Sequence, residues 1–260
     1  MTTFAIAGAC ALLVSLSAQG GFSPARYRDG AVPPLPALAV GGGEVFLEVA
    51  VGSDGRVAAT KQLRTTRPFT DLVVAAVRGW QFVPAEEETE AEPGRPAEPK
   101  PRKRVASKVL VAGVFRPPAL FSNTTLGELP KDVASESDET PFPLATTIPV
   151  YPPKALERGV VLVEARIDRG GAVTEARVIR SARPFDDVAR AAARRWRFRP
   201  ARVGGRTVES LVYILFGFPT PVTGGPGGGG PSCPPCAEPG LALPPGCPPP
   251  PPCPPRPPQK

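Results

Sequence analysis

The side chains best suited to chemistry are cysteines near the C-terminal end. Cys233-Pro-Pro-Cys236 has the spacing of a redox or metal-binding pair, and Cys247 and Cys253 follow inside proline runs. A redox thiol is activated by a helix N-terminus. Two prolines between the cysteines oppose a helix there, so redox catalysis is disfavoured. In an oxidising compartment, disulfides among Cys233, Cys236, Cys247 and Cys253 are the favoured reading, with metal binding and free or intermolecular thiols as the alternatives. The paired acids are weaker candidates. Asp71 and Asp187 fall where first helical turns are expected, and no nucleophile with a base accompanies either. The chain contains no histidine, which removes the commonest acid or base near neutral pH and the commonest metal ligand. A non-enzymatic protein is therefore expected, with no catalytic residue, cofactor or catalytic metal.

Charge offers a second kind of chemistry. Lys and Arg number 31 against 24 Asp and Glu, a formal net charge of +7, which favours anionic partners without specifying a fold. Arg190, Arg194, Arg195, Arg197, Arg199, Arg202 and Arg206 concentrate that charge. A solvated face that also complements a helix dipole is the plainer reading. Contact with anionic glycan, lipid or an acidic receptor segment is the alternative, and it would weaken with salt. Nucleic acid is not an expected partner of an exported chain.

The elements that must position these residues come from an internal repeat. Residues 45–85 match residues 161–201 without a gap at a constant offset of 116, as Gly55 with Gly171, Trp80 with Trp196, Phe82 with Phe198 and Pro84 with Pro200 show. In each copy a strand with period-two alternation leads into a glycine turn, at Ser53-Asp54-Gly55 or at Arg169-Gly170-Gly171. The strand that follows, Ala172 to Ser181, alternates less cleanly and suggests a bulge. A helix is predicted next, with Pro184 at its first position. Phe185, Val188, Ala189, Ala192 and Trp196 form one apolar stripe, matched by Phe69, Leu72, Val73, Ala76 and Trp80. Pro84 and Pro200 end these units. Trp80 and Trp196 are expected to pack in cores rather than to stack on a ligand. Thr207 to Phe216 supplies a last strand, as Ser107 to Phe115 does in the first copy. The expected fold class is α+β, with two small ββαβ domains, each a three-stranded antiparallel sheet with a helix packed across it.

The rest of the chain reads as connection and address. Phe4 to Leu16 is an apolar run followed by the small residues Ser17 and Ala18, so residues 1–20 are expected to be a signal peptide. No Lys or Arg precedes the run, and a short uncleaved anchor or a lipoprotein through Cys10 are the alternatives; the run is short of the ~20 residues that span hydrocarbon. The domains are expected at residues 25–118 and 141–219, with an exposed charged loop at 86–104, a polar linker at 119–140 and a disordered Gly/Pro/Cys-rich tail at 220–260.

The second copy resembles the C-terminal domain of the energy transducer TonB. The resemblance rests on Tyr151-Pro152, the hairpin at Gly170-Gly171, and the segment Arg195-Trp196-Arg197-Phe198-Arg199-Pro200-Ala201 with Gly205 before the last strand. The first copy keeps the Gly, Trp, Phe, Pro and Ala positions. The resemblance implies a periplasmic location, with or without anchoring through residues 4–18. It also implies a protein partner, a TonB-dependent outer-membrane receptor or another envelope protein, held by strand addition. The implied docking edge is the last strand, with Val208, Ser210, Val212 and Ile214 on it, and Tyr151 and Pro152 positioning it. Gly55, Gly171, Trp80, Trp196, Phe82, Phe198, Pro84 and Pro200 are implied to be structural. The usual transducer carries a histidine in a membrane helix, with its proline-rich spacer ahead of the domain. This chain lacks the histidine, and its proline-rich segment follows the domains, so coupling to a proton-driven motor is not expected. A structural adaptor for peptidoglycan or secretion components, with self-association of the domains, is the alternative.

Overall fold

A computed structural model describes residues 21–36, 41–88, 101–118, 125–128, 138–153 and 155–221. The N-terminal apolar run and the tail with its four cysteines lie outside the described residues. The first half contains β1 (Phe22–Ser23), β2 (Arg26–Asp29), β3 (Gly43–Val51), β4 (Val57–Arg64), α1 (Phe69–Arg78), β5 (Gln81–Val83), β6 (Ala85–Glu88), β7 (Arg102–Val105) and β8 (Ser107–Phe115). Then follow β9 (Thr125–Glu128), β10 (Phe142–Thr147), β11 (Gly159–Ile167), β12 (Val173–Arg180), α2 (Asp186–Ala193), β13 (Arg197–Arg199), β14 (Ala201–Val203), β15 (Arg206–Val208) and β16 (Ser210–Phe218).

The 116-residue offset carries through the folded chain. β3 and β11, β4 and β12, and β5 and β13 begin and end at positions 116 apart. Gly55 and Gly171 sit at φ of 82° and 84°, a region that only glycine enters without strain. At each, the amide of the following aromatic, Phe82 or Phe198, donates to the glycine carbonyl at 2.8 Å. A side chain on either glycine would run into the carbonyl oxygen of that aromatic. Trp80 and Trp196 close their helices at 1% and 0% exposure. Their indole N–H groups donate to the carbonyls of Ala31 and Thr147, again 116 residues apart. Phe69 stacks on Phe115 and Phe185 on Phe218, both with ring centroids 4.3 Å apart.

The expectation of two separate three-stranded sheets is corrected by the topology. One six-stranded sheet runs β12-β11-β16-β8-β3-β4. The halves meet where β16 pairs with β8 in parallel, from Val212 opposite Leu110 to Gly217 opposite Phe115, and every other pairing in the sheet is antiparallel. Parallel pairing of equivalent strands corresponds to a two-fold relation about an axis along the strands, which turns one half's upper face into the other's lower face. The helices accordingly lie on opposite faces. Phe185, Ala189 and Trp196 of the second half share a core with Phe46, Ala112 and Val114 of the first. Phe69, Val73 and Trp80 share the other core with Val160, Leu162, Tyr213 and Leu215.

This arrangement explains why strands expected to have one buried face are covered on both. Val160 and Leu162, at 7% and 0% exposure, are buried as Val161 and Val163 are. The loop expected at 86–104 begins and ends as a hairpin instead. Glu86, Glu87 and Glu88 of β6 lie opposite Arg104, Lys103 and Arg102 of β7, so cross-strand opposite charges favour pairing. The linker expected at 119–140 contains β9, which pairs with β10. The last strand is interrupted at Glu209, leaving Val208 on β15 and Ser210 on β16. α2 begins at Asp186 rather than Pro184.

Candidate functional site: the seam and its fork

The last strand, implied by resemblance to be an open docking edge, is interior. β16 pairs with β11 on one side and β8 on the other. Val212 and Ile214 are 0% exposed, and they lie within the parallel ladder, opposite Leu110 and Ala112. A two-fold repeat leaves two equivalent apolar edges, and joining them satisfies both with main-chain bonds and apolar cover. Tyr151 is buried as well. Its ring meets Phe185 edge-on at 5.4 Å, and its hydroxyl donates to the Glu157 carbonyl. The Arg116 guanidinium lies 5.5 Å above that ring and donates to the Pro149 carbonyl. Burial lowers the Arg116 pKa and raises that of Tyr151. The Tyr-Pro lead therefore ties the end of β8 to the second half, with Pro152 half-buried beside it. Pro84 and Pro200 are likewise half-buried, following Phe82 and Phe198.

Tyr213 reaches from β16 into the first half's core. Its hydroxyl accepts the Tyr27 amide at 2.7 Å and donates to the Ala25 carbonyl at 3.1 Å, with a Glu164 carboxylate oxygen 3.4 Å away. Arg177 on the border strand β12 holds Glu164 at 2.8 Å. Burial first, and then the neighbouring Glu164 charge, push the Tyr213 phenol far above its ordinary range. Glu44 and Glu48 are buried acids that each hold a cation of the first half and a threonine hydroxyl of the second. Glu44 takes Arg64 at 2.9 Å and the Thr146 hydroxyl; Glu48 takes the Thr140 hydroxyl and Lys108. These residues fasten the two halves together.

Among the described residues, two places remain open along the sheet. The first is its borders, β4 and β12. Both carry charged side chains and register shifts against their neighbours, features that discourage indiscriminate strand addition. The second is the fork at the start of the seam. There Val208 and Ser210, two of the residues implied by resemblance, line a cleft together with Val105, Ala106 and Ser107. Val105, Ala106 and Ser107 come from the first half and were not among the residues that the resemblance implied. The continuous apolar runs Val160–Val163 and Val109–Val111 were the sequence signal of strands covered on both faces. The basic residues Arg194, Arg195, Arg197, Arg202 and Arg206 are exposed, whereas Arg199 lies 3.7 Å from Asp138 and above the Phe142 ring.

Among the described residues no cluster of His, Cys, Asp and Glu could hold a metal, and no helix is long and apolar enough to cross a membrane. Residues 147–218 match the family described as Gram-negative bacterial TonB protein C-terminal. No curated protein matches the chain.

Proposed function

We propose that this chain is a cell-envelope protein of the TonB C-terminal type, acting in outer-membrane transport by binding an extended peptide segment of a receptor or other envelope partner. The reading takes the first half as a second copy of the same module and places the protein in the periplasm. The observation that carries it is the seam. The last strand of the family-matched segment accepts an extended strand along its edge in parallel and encloses it on both faces. Main-chain pairing gives such an edge affinity, and flanking side chains give it selectivity. The same observation favours a second reading, a structural adaptor of the envelope, because a strand of this chain already occupies that edge. In this reading the protein binds its partner without coupling to a proton-driven motor.

A labelled synthetic peptide from the N-terminal segment of a TonB-dependent receptor, titrated into the purified chain, is expected to bind in the micromolar range. Failure of such peptides to bind, with peptidoglycan or envelope scaffold proteins retained instead, would favour the adaptor. Expression in a transducer-deficient strain is expected to leave siderophore uptake unrestored.

A further inference from the structure

The repeat supplies an internal comparison, because two segments that fold alike need not carry the same surface. β5 and β13 begin and end at positions 116 apart, and the tryptophans that close α1 and α2 are buried alike. Yet Gly79, Gln81 and Glu86 in the first half stand where Arg195, Arg197 and Arg202 stand in the second. The cation that complements the helix dipole is common to both, as Arg78 and Arg194. The three further arginines are therefore not required by the fold. All three are exposed, so the excess charge lies at the surface of one half.

The hairpins that follow differ in the same direction. In β6–β7, Glu86, Glu87 and Glu88 face Arg104, Lys103 and Arg102, and Arg102 lies 4.0 Å from Glu86 and 3.5 Å from Glu88. In β14–β15, Arg202 faces Thr207 and Val203 faces Arg206. Neither of these strands contains an acid, and Glu209 comes just past the second. Gly204 and Gly205 turn between them at φ of 56° and 77°, where an added side chain would meet nothing within 4 Å. Every residue from Arg202 to Arg206 is exposed, Val203 at 37%. Arg190 is held by Asp187 at 2.6 Å, and Arg199 lies 3.7 Å from Asp138. Among the described residues, no carboxylate pairs with Arg194, Arg195, Arg197, Arg202 or Arg206.

The geometry points to the stretch from Arg194 to Arg206 as a docking surface for an anionic phospholipid bilayer. Its five arginines without acidic partners supply the attraction. The hairpin tip presents Val203 to the boundary between headgroups and acyl chains, and arginine stems lie along apolar surface while their guanidinium groups stay with phosphates. The cations are strung from the end of α2 to the tip of the hairpin rather than gathered in one pocket. That spacing suits a broad layer of charge better than a single small anion. An acidic polypeptide would draw on the arginines alone, whereas an exposed valine between two of them is what a bilayer rewards. This goes beyond the peptide-binding reading and does not rest on it.

The test sediments the full chain with vesicles of phosphatidylcholine, either alone or with about one quarter phosphatidylglycerol. Binding is expected to the anionic vesicles only, and to fall steeply between about 50 mM and about 500 mM salt. Arg195→Gln, Arg197→Gln and Arg202→Gln together are expected to weaken it about a hundredfold, at roughly fivefold for each charge. Their urea midpoint should match the parent's, since the first half folds with other residues at these places. Arg56→Gln, Arg67→Gln and Arg78→Gln remove as much charge from exposed first-half positions and are expected to weaken binding less than about fivefold. Val203→Ser is expected to weaken vesicle binding about two- to fivefold while leaving retention on heparin, a soluble polyanion, unchanged. Equal binding to neutral and anionic vesicles, binding that persists at the higher salt, or equal losses in the two triple variants overturns the proposal. Retention by heparin without binding to vesicles overturns it as well.

Discussion

At the scale of single residues, Tyr213 is the most consequential side chain of the seam. It is 0% exposed and serves the Tyr27 amide and the Ala25 carbonyl of the other half. Its folded pKa is raised above the ordinary 10.0, and that of Tyr151 is raised in the same direction. The unfolded chain releases these protons above about pH 10 while the folded chain retains them. The stabilisation is therefore fully present below about pH 10 and declines as pH rises, by up to about 1.4 kcal/mol per pH unit for each group. Tyr213→Phe is expected to cost about 1–3 kcal/mol at neutral pH by leaving the amide and carbonyl unpaired. It should also flatten the alkaline decline, which urea titrations from pH 8 to 12 would measure; an unaltered alkaline slope would contradict this role. The sequence marked Tyr213 only as one member of an apolar strand, because its partners Ala25 and Tyr27 lie some 186 residues away. Trp80 and Trp196 were legible as core residues because helical spacing alone sets their direction.

At the scale of elements, the two hairpins and helices were readable from local chemistry. Asp54-Gly55 and Gly170-Gly171 mark turns, and the apolar stripes of α1 and α2 follow the 3.6-residue period. The demand on the second glycine of each turn is stringent. Gly55→Ala and Gly171→Ala are each expected to cost at least about 1–2 kcal/mol, since each places a Cβ at positive φ and against a carbonyl oxygen. Gly170→Ala is the control. Its φ is not in the left-handed region, and the added carbon would lie 3.3 Å from an Asp168 carboxylate oxygen on an exposed turn. Denaturant midpoints that fell equally for Gly170→Ala and Gly171→Ala would refute the argument. The charged segment after Pro84 was harder to read. Opposite-charge blocks are compatible with solvated loop or with hairpin, and only the register of Glu86–Glu88 against Arg102–Arg104 decides between them.

At the scale of the whole molecule, each core is built from both halves. Val160, Leu162, Leu211, Tyr213 and Leu215 belong to the core around α1 although they come from the second half. Exposing each would forfeit about 1.5–3 kcal/mol, a sum comparable to the 5–15 kcal/mol that holds a domain together. The full chain is expected to unfold in one cooperative transition. Residues 138–221 expressed alone should be unfolded or self-associated through β16, as read by circular dichroism and size-exclusion chromatography; a stable folded monomer would refute the shared core. What the sequence by itself determined is the repeat and its local units, because turn glycines, strand alternation and helical stripes act over a few residues and recur at a fixed offset. Only the tertiary structure decided that the two last strands meet in parallel, that each helix covers strands of both halves, and that the seam opens as a fork. Those outcomes depend on how two apolar strand edges and two sheet faces satisfy one another across a hundred residues, and no local pattern encodes that choice.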